Sequence, residues 1–150
     1  MNTNTKVDLR KMNTFLRKYK TVDFRTADLL NSSRLADYKW PDDDEEKHHL
    51  LGQIKAYQRL LRILPTNEDK INNSDIAREL LKAGIHSALQ ITSMGRKKFI
   101  KETIKIFCDD KELALGVYKR ALACRKLVAI KYIHLRQRLE PHARAAGLNL

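Results

Sequence analysis

Five histidines, two cysteines and a run of five acids are the residues of this 150-residue chain whose types could do chemistry. The histidines are His48, His49, His86, His134 and His142. Adjacent His48 and His49 point about 100° apart on a helix. No His-Glu-x-x-His or Cys/His spacing occurs, so a metal site has little support. His86, beside the Gly84 turn, reads as a turn residue rather than a ligand. Cys108 and Cys124 make neither a disulfide framework nor a zinc set, and both are expected as free, buried thiols. Asp42, Asp43, Asp44, Glu45 and Glu46 follow Pro41. Catalytic carboxylates need separation across a cleft and oppositely tuned surroundings. A consecutive run after proline instead marks a helix start, where carboxylates meet free N–H groups and the positive end of the macrodipole. No glycine-rich phosphate loop, nucleophile elbow or Cys/His nucleophile pattern occurs. The expectation is a chain without enzymatic activity, cofactor or bound metal.

The elements that carry these residues follow from composition. At 43% hydrophobic and 32% charged residues, with only 5 Gly and 3 Pro, the chain is neither low-complexity nor a turn-rich sandwich. It is expected to be all-α: a compact helical bundle forming one domain over 1–150, with a short helix-turn-helix corner and a long C-terminal helix. Within it, 1–41 supply an N-terminal helix and a tethered loop, 42–140 the main helical module and 141–150 a tail. Apolar runs are four residues or shorter and the first residues are polar, so neither a membrane span nor a cleavable signal is expected. Synthesis in the cytosol follows. The net charge is +12, unevenly spread: 9 basic and 4 acidic residues over 1–40, 5 and 8 over 41–75, and 16 and 6 over 76–150. Such a surface attracts any polyanion, nucleic acid, anionic lipid or acidic protein alike, or it merely solubilises helix faces.

Periodicity assigns the helices. Over 7–19, Leu9, Met12, Phe15, Leu16 and Tyr19 share one face. From Lys20 to Pro41 the pattern loosens, with Phe24, Leu29, Leu30, Leu35, Tyr38 and Trp40 as anchors around a short helical turn. The acid-capped helix continues through Leu50, Leu51, Ile54, Tyr57, Leu60, Leu61 and Leu64 to Pro65, which cannot extend it. After a polar loop, Ser74 is expected to cap a helix that ends near Lys82, with Gly84 in the left-handed position. Ser87 and Gln90 form a capping box that restarts the chain. Leu80, Leu81, Ile85, Leu89 and Ile91 make the buried spine of this corner. Phe99, Ile100, Ile104 and Phe107 mark a further helix, and Asp109 and Asp110 cap the next.

The last helix, from about Lys111 to Leu139, extends roughly 40 Å. Leu113, Val117, Ala121, Cys124, Val128, Tyr132, Leu135 and Leu139 form a seam expected to face the core. A second stripe, Leu115, Tyr118, Leu122, Ala129 and Ile133, lies most of the way round the helix. One neighbour cannot bury both. Either the bundle surrounds the helix, with the Leu9, Met12, Phe15 and Leu16 face packing there, or the second stripe meets a protein partner or a second copy. Lys111, Lys119, Lys126 and Arg136 flank it, and basic flanks steer an encounter while an apolar strip anchors it. The candidate partner-binding residues are therefore Leu115, Tyr118, Leu122, Ala129, Ile133, Lys119, Lys126 and Arg136. A nucleic-acid reading is the alternative. The 80–94 corner, followed by Arg96, Lys97, Lys98 and Lys101, has the order of a helix-hairpin-helix module, although the usual Gly-x-Gly turn is missing.

Three phrases point further: Ala56-Tyr57-Gln58-Arg59-Leu60-Leu61-Arg62 before Pro65; Leu80-Leu81-Lys82-Ala83-Gly84-Ile85-His86-Ser87-Ala88-Leu89-Gln90-Ile91 followed by Phe99; and Val117-Tyr118-Lys119-Arg120-Ala121. Their order resembles a helical segment of the A component of bacterial insecticidal Tc toxin complexes, whose members carry neuraminidase-like and virulence-plasmid toxin domains. The likeness covers residues 42–140. It implies an α-helical shell piece, part of a secreted pore-forming assembly and released with it, that works through protein contacts. It supplies no catalytic residue.

Overall fold

The computed structural model describes residues 7–66 and 72–139. Seven helices and no strand occur among them: α1 (Arg10–Lys18), α2 (Ser32–Leu35), α3 (Asp44–Ile63), α4 (Asn73–Lys82), α5 (Ala88–Met94), α6 (Arg96–Thr103) and α7 (Lys111–Leu139). The architecture is the all-α bundle that the periodicity requires. Helix α3 is its hub, packing against α1, α4, α5 and α7. Its Leu50, Ile54, Tyr57, Leu60 and Ile63 are buried, which is the three-and-four spacing of one apolar face. Asp44, Glu45 and Glu46 occupy its first turn and are exposed, with Glu46 paired to Lys11 of α1 at 3.1 Å. The acids favour the positive helix end by charge, since Asp43 makes no side-chain cap bond.

The stretch between α1 and α3 has little regular structure and is held by side chains reaching its backbone. Gln58 is buried in α3, and its Nε2 donates to the carbonyls of Phe24 and Ala27 at 2.8 and 2.6 Å. Arg62 donates to the carbonyl of Arg25, and Arg25 donates to that of Leu64. Around this tether Phe15, Tyr19, Phe24, Tyr38 and Trp40 form a ring cluster, with Phe15 stacked on Trp40 at 5.1 Å. The Trp40 indole N–H donates to the Leu35 carbonyl, so its polar end is satisfied. The helical turn begins at Ser32 because Asn31 caps it by accepting from the Ser33 N–H. One expected anchor fails: Leu30 precedes that cap and is 86% exposed.

The corner between α4 and α5 is a Schellman turn. Gly84 has φ of 85°, its N–H donates to the Leu81 carbonyl, and the Ile85 N–H donates to the Leu80 carbonyl. Ile85 is buried as the apolar plug against Leu80. Ser87 then caps α5 by accepting from the Gln90 N–H. The Gln90 side chain reaches past the usual box, accepting from the His86 N–H and donating to the Gly84 carbonyl. Two expectations here need correction. Leu89 is 57% exposed, since its place in the first turn of α5 faces away from the core side occupied by Ile91. Helix α4 is capped by Asn72, whose side chain accepts from the Asp75 N–H, while the Ser74 hydroxyl accepts from the Tyr57 hydroxyl. Burial pushes the Tyr57 phenol above its usual pKa, which keeps it a donor.

After Gly95, whose φ of 84° a side chain would resist, α6 ends at Thr103, short of the expected Phe107. The buried Thr103 hydroxyl donates back to the Phe99 carbonyl, and the next residues tighten into turns ending in left-handed Cys108 and Asp109. Asp110 then caps α7 by accepting from the Leu113 N–H.

Two outcomes test this account. Ile85→Ala is expected to cost about 2–5 kcal/mol, the usual loss for a truncated core aliphatic. Gly84→Val meets no atom within 4 Å of its Cβ, so its loss comes from the backbone conformation alone. Thermal melts of both variants overlaying the parent would refute the corner. Gln58→Met fills similar volume but orphans two carbonyls, and is expected to cost about 1–3 kcal/mol for each one left buried without a donor. A denaturant midpoint unchanged from the parent would show that the tether is idle.

Candidate interaction surface

The seven residues of α5 and the eight of α6 span only about 10 and 12 Å, whereas α7 extends about 43 Å. They cover its first turns and no more. Ala114, Val117 and Ala121 are buried against α5, α6 and α3, and Leu113, Leu115, Tyr118 and Leu122 are half-buried beside them. The Tyr118 ring lies 6.1 Å from Phe99, itself fully buried and 6.1 Å from Phe107. Arg125 still reaches back, donating to the Thr92 hydroxyl at 3.2 Å. Every residue over 123–136 is exposed. Leu127, Val128, Ile130, Tyr132, Ile133 and Leu135 are each between 50% and 62% exposed.

The seam expected to face the core therefore does so only as far as Ala121. Cys124, Val128, Tyr132 and Leu135 continue it into solvent, because among the described residues no element is long enough to follow them. The side chain of Leu139 lies outside the described residues. The second stripe divides at the same place: Leu115, Tyr118 and Leu122 belong to the body, and Ala129 and Ile133 to the projecting arm. Lys111, Lys119, Lys126 and Arg136 are exposed along it. Helix α1 packs on α3, and the cover on the first turns of α7 comes from α5 and α6 instead. Both thiols are exposed rather than buried, Cys108 in the left-handed turn after α6 and Cys124 at the root of the arm.

Elsewhere the fold assembles something that spacing along the chain does not show. His48 and His49 of α3 and His86 of the corner line one open depression of about 390 Å³, beside Arg59, whose Nε donates to the His86 carbonyl. They border the depression without converging: among the described residues no group of three or more His, Cys, Asp or Glu side chains is placed to hold a metal ion. His134 is exposed on the arm, and His142 lies outside the described residues. Among the described residues no helix is long and apolar enough to cross a membrane.

The divided helix makes a sharp contrast in stability. Tyr118→Ala, which removes the ring from Phe99, is expected to cost about 2 kcal/mol or more, whereas Ile133→Asp stays within about 0.5 kcal/mol of the parent. Equal losses in chemical denaturation would contradict the division. No family model, curated protein or solved structure matches this chain.

Proposed function

We propose that this chain is a non-enzymatic α-helical interaction module, acting through protein–protein contacts made by the projecting half of α7. The observation that carries the reading is the exposure of six large apolar residues over 127–135 on one rigid element. Scattered exposed apolar side chains are ordinary, but six within nine residues of one helix, with Val128, Tyr132 and Leu135 side by side on one face, support an interaction site. The body serves as the mount: the corner, the Gln58 tether and the Phe99, Phe107 and Tyr118 cluster fix the root of the arm. Kinship with the A component of Tc toxin complexes is part of the same proposal and rests on the three sequence phrases. In this fold those phrases are chiefly packing positions, since Ala56, Tyr57, Leu60, Leu80, Leu81, Ile85, Val117 and Ala121 are all buried. They bear on the scaffold rather than on the arm.

A nucleic-acid role is the second reading, and one observation favours it. Arg96, Lys97, Lys98 and Lys101 of α6 are exposed, and no acid stands in the first turn of that helix. Phosphate contacts would neutralise them, but the aliphatic surface of the arm would stay wet.

A pull-down from the source cells with the parent chain and with Ile133→Asp separates the two. The expected result is a stoichiometric protein retained by the parent and lost with the folded variant. Retention of nucleic acid alone, falling steeply with salt and indifferent to Ile133→Asp, would contradict the interaction reading and favour the second.

A further inference from the structure

A depression of about 400 Å³ runs along one side of α1, and no residue of α7 lines it. Its apolar lining is Phe15, Trp40, Pro41 and Leu50. Three contacts hold Trp40 in place: Phe15 stacks on it at 5.1 Å, Tyr38 meets it edge-on at 6.1 Å, and its indole N–H donates to the Leu35 carbonyl at 2.7 Å. The indole is half-buried with its one polar atom partnered, so what it offers the depression is fixed ring surface. Cations border the same space, and they are not equivalent. Arg10 is paired with Asp8 at 2.9 Å and Lys11 with Glu46 at 3.1 Å. Lys18 and Lys39 pair with no carboxylate among the described residues. The Tyr19 hydroxyl accepts from the Lys39 N–H at 2.7 Å, which ties the loop before α3 to the end of α1 where Lys18 stands.

We propose that this depression binds a nucleoside monophosphate, with the base on Trp40 and the phosphate between Lys18 and Lys39. The site goes beyond the interaction reading and shares no residue with it. Its chemistry selects the ligand. A planar base has a π face to lay on a fixed indole, the contact by which aromatic platforms hold nucleotides. A phosphate monoester carries a charge of about −1.5 to −2 at neutral pH, which two unpaired ammonium groups match. A carboxylate or a phosphodiester brings only one charge. The exposed Thr14 hydroxyl, which lines the depression and donates to the Arg10 carbonyl, keeps acceptor capacity for a ribose hydroxyl. An acidic peptide would answer the lysines and leave the ring surface without a planar partner. The volume falls within the usual range of small-molecule sites, about 300–1,000 Å³.

Trp40 is the chain's only tryptophan, so its fluorescence reports on the site directly. The probe is adenosine monophosphate, titrated into the full chain at about 150 mM NaCl, where long-range attraction is screened. A saturable one-to-one change is expected, with Kd below about 1 mM. Adenosine and inorganic phosphate, used as competitors, are each expected to bind at least about tenfold more weakly, since each lacks one half of the ligand. Lys18→Glu and Lys39→Glu are each expected to weaken binding at least about tenfold, whereas the pair Lys97→Glu with Lys101→Glu on α6 leaves it unchanged. All four positions are exposed, so circular dichroism of the variants is expected to match the parent. Absence of saturable binding overturns the proposal, as does adenosine or inorganic phosphate competing as well as the monophosphate. An equal loss with the α6 pair reduces the effect to general attraction by a basic chain and overturns it too. Single-stranded oligoadenylate binding without saturable monophosphate binding assigns the depression to a strand, against the proposal. None of these outcomes bears on the interaction reading, which is tested at Ile133.

Discussion

An apolar helical stripe must be covered, and α7 is longer than any of the described helices that pack against it. That mismatch organises the molecule. Where α5, α6 and α3 reach, the helix is a core element, with Ala114, Val117 and Ala121 buried and Tyr118 against Phe99. Beyond Leu122 the same residue types, on the same helix, stand in water. At about 25 cal/mol per Å² of apolar surface removed from water, covering such a strip is a substantial driving force for association. The arm spans roughly 25 Å, enough for a helix-in-groove contact.

Local hydrogen-bonding devices fix the elements of the body, several of them at the root of that arm. A Schellman turn at Gly84 sets the direction of α5 after α4, and Gln90 locks it with bonds to His86 and Gly84. The left-handed residues Cys108 and Asp109 do the same between α6 and α7, where Asp110 starts the long helix. On the other side of α3, Gln58 holds an otherwise irregular stretch through two carbonyls, and the ring cluster from Phe15 to Trp40 seals it. These are local devices with definite hydrogen-bond partners. They fix the elements around the root of the arm, where Arg125 adds a hydrogen bond back to Thr92.

Much of this architecture is legible in the residues. Spacing alone locates α1, α3 and α7, and Gly84 with Ser87 and Gln90 spells out the corner because capping chemistry is local. What spacing cannot convey is whether a neighbour is present. Cys124, Val128, Tyr132 and Leu135 repeat the rhythm of Val117 and Ala121, so periodicity places all of them in one seam. Only the lengths of α5 and α6 reveal where cover stops. Leu89 and Leu30 were expected in the core for the same reason, as apolar residues whose fate depends on the packing of a short element. The role of Gln58 is invisible in sequence because its partners stand more than thirty residues away, at Phe24 and Ala27. The meeting of His48, His49 and His86 at one depression is likewise a tertiary fact.

Amide hydrogen exchange on the isolated chain tests most directly whether α7 is one helix in two environments. Local opening free energy falls where few buried contacts hold the backbone. Amides over 114–121, packed on α5 and α6, are expected to exchange only with the slowest part of the core, and those over 127–135 at least about tenfold faster. Uniform protection along all of α7 would mean that the arm is already covered, and would contradict the account.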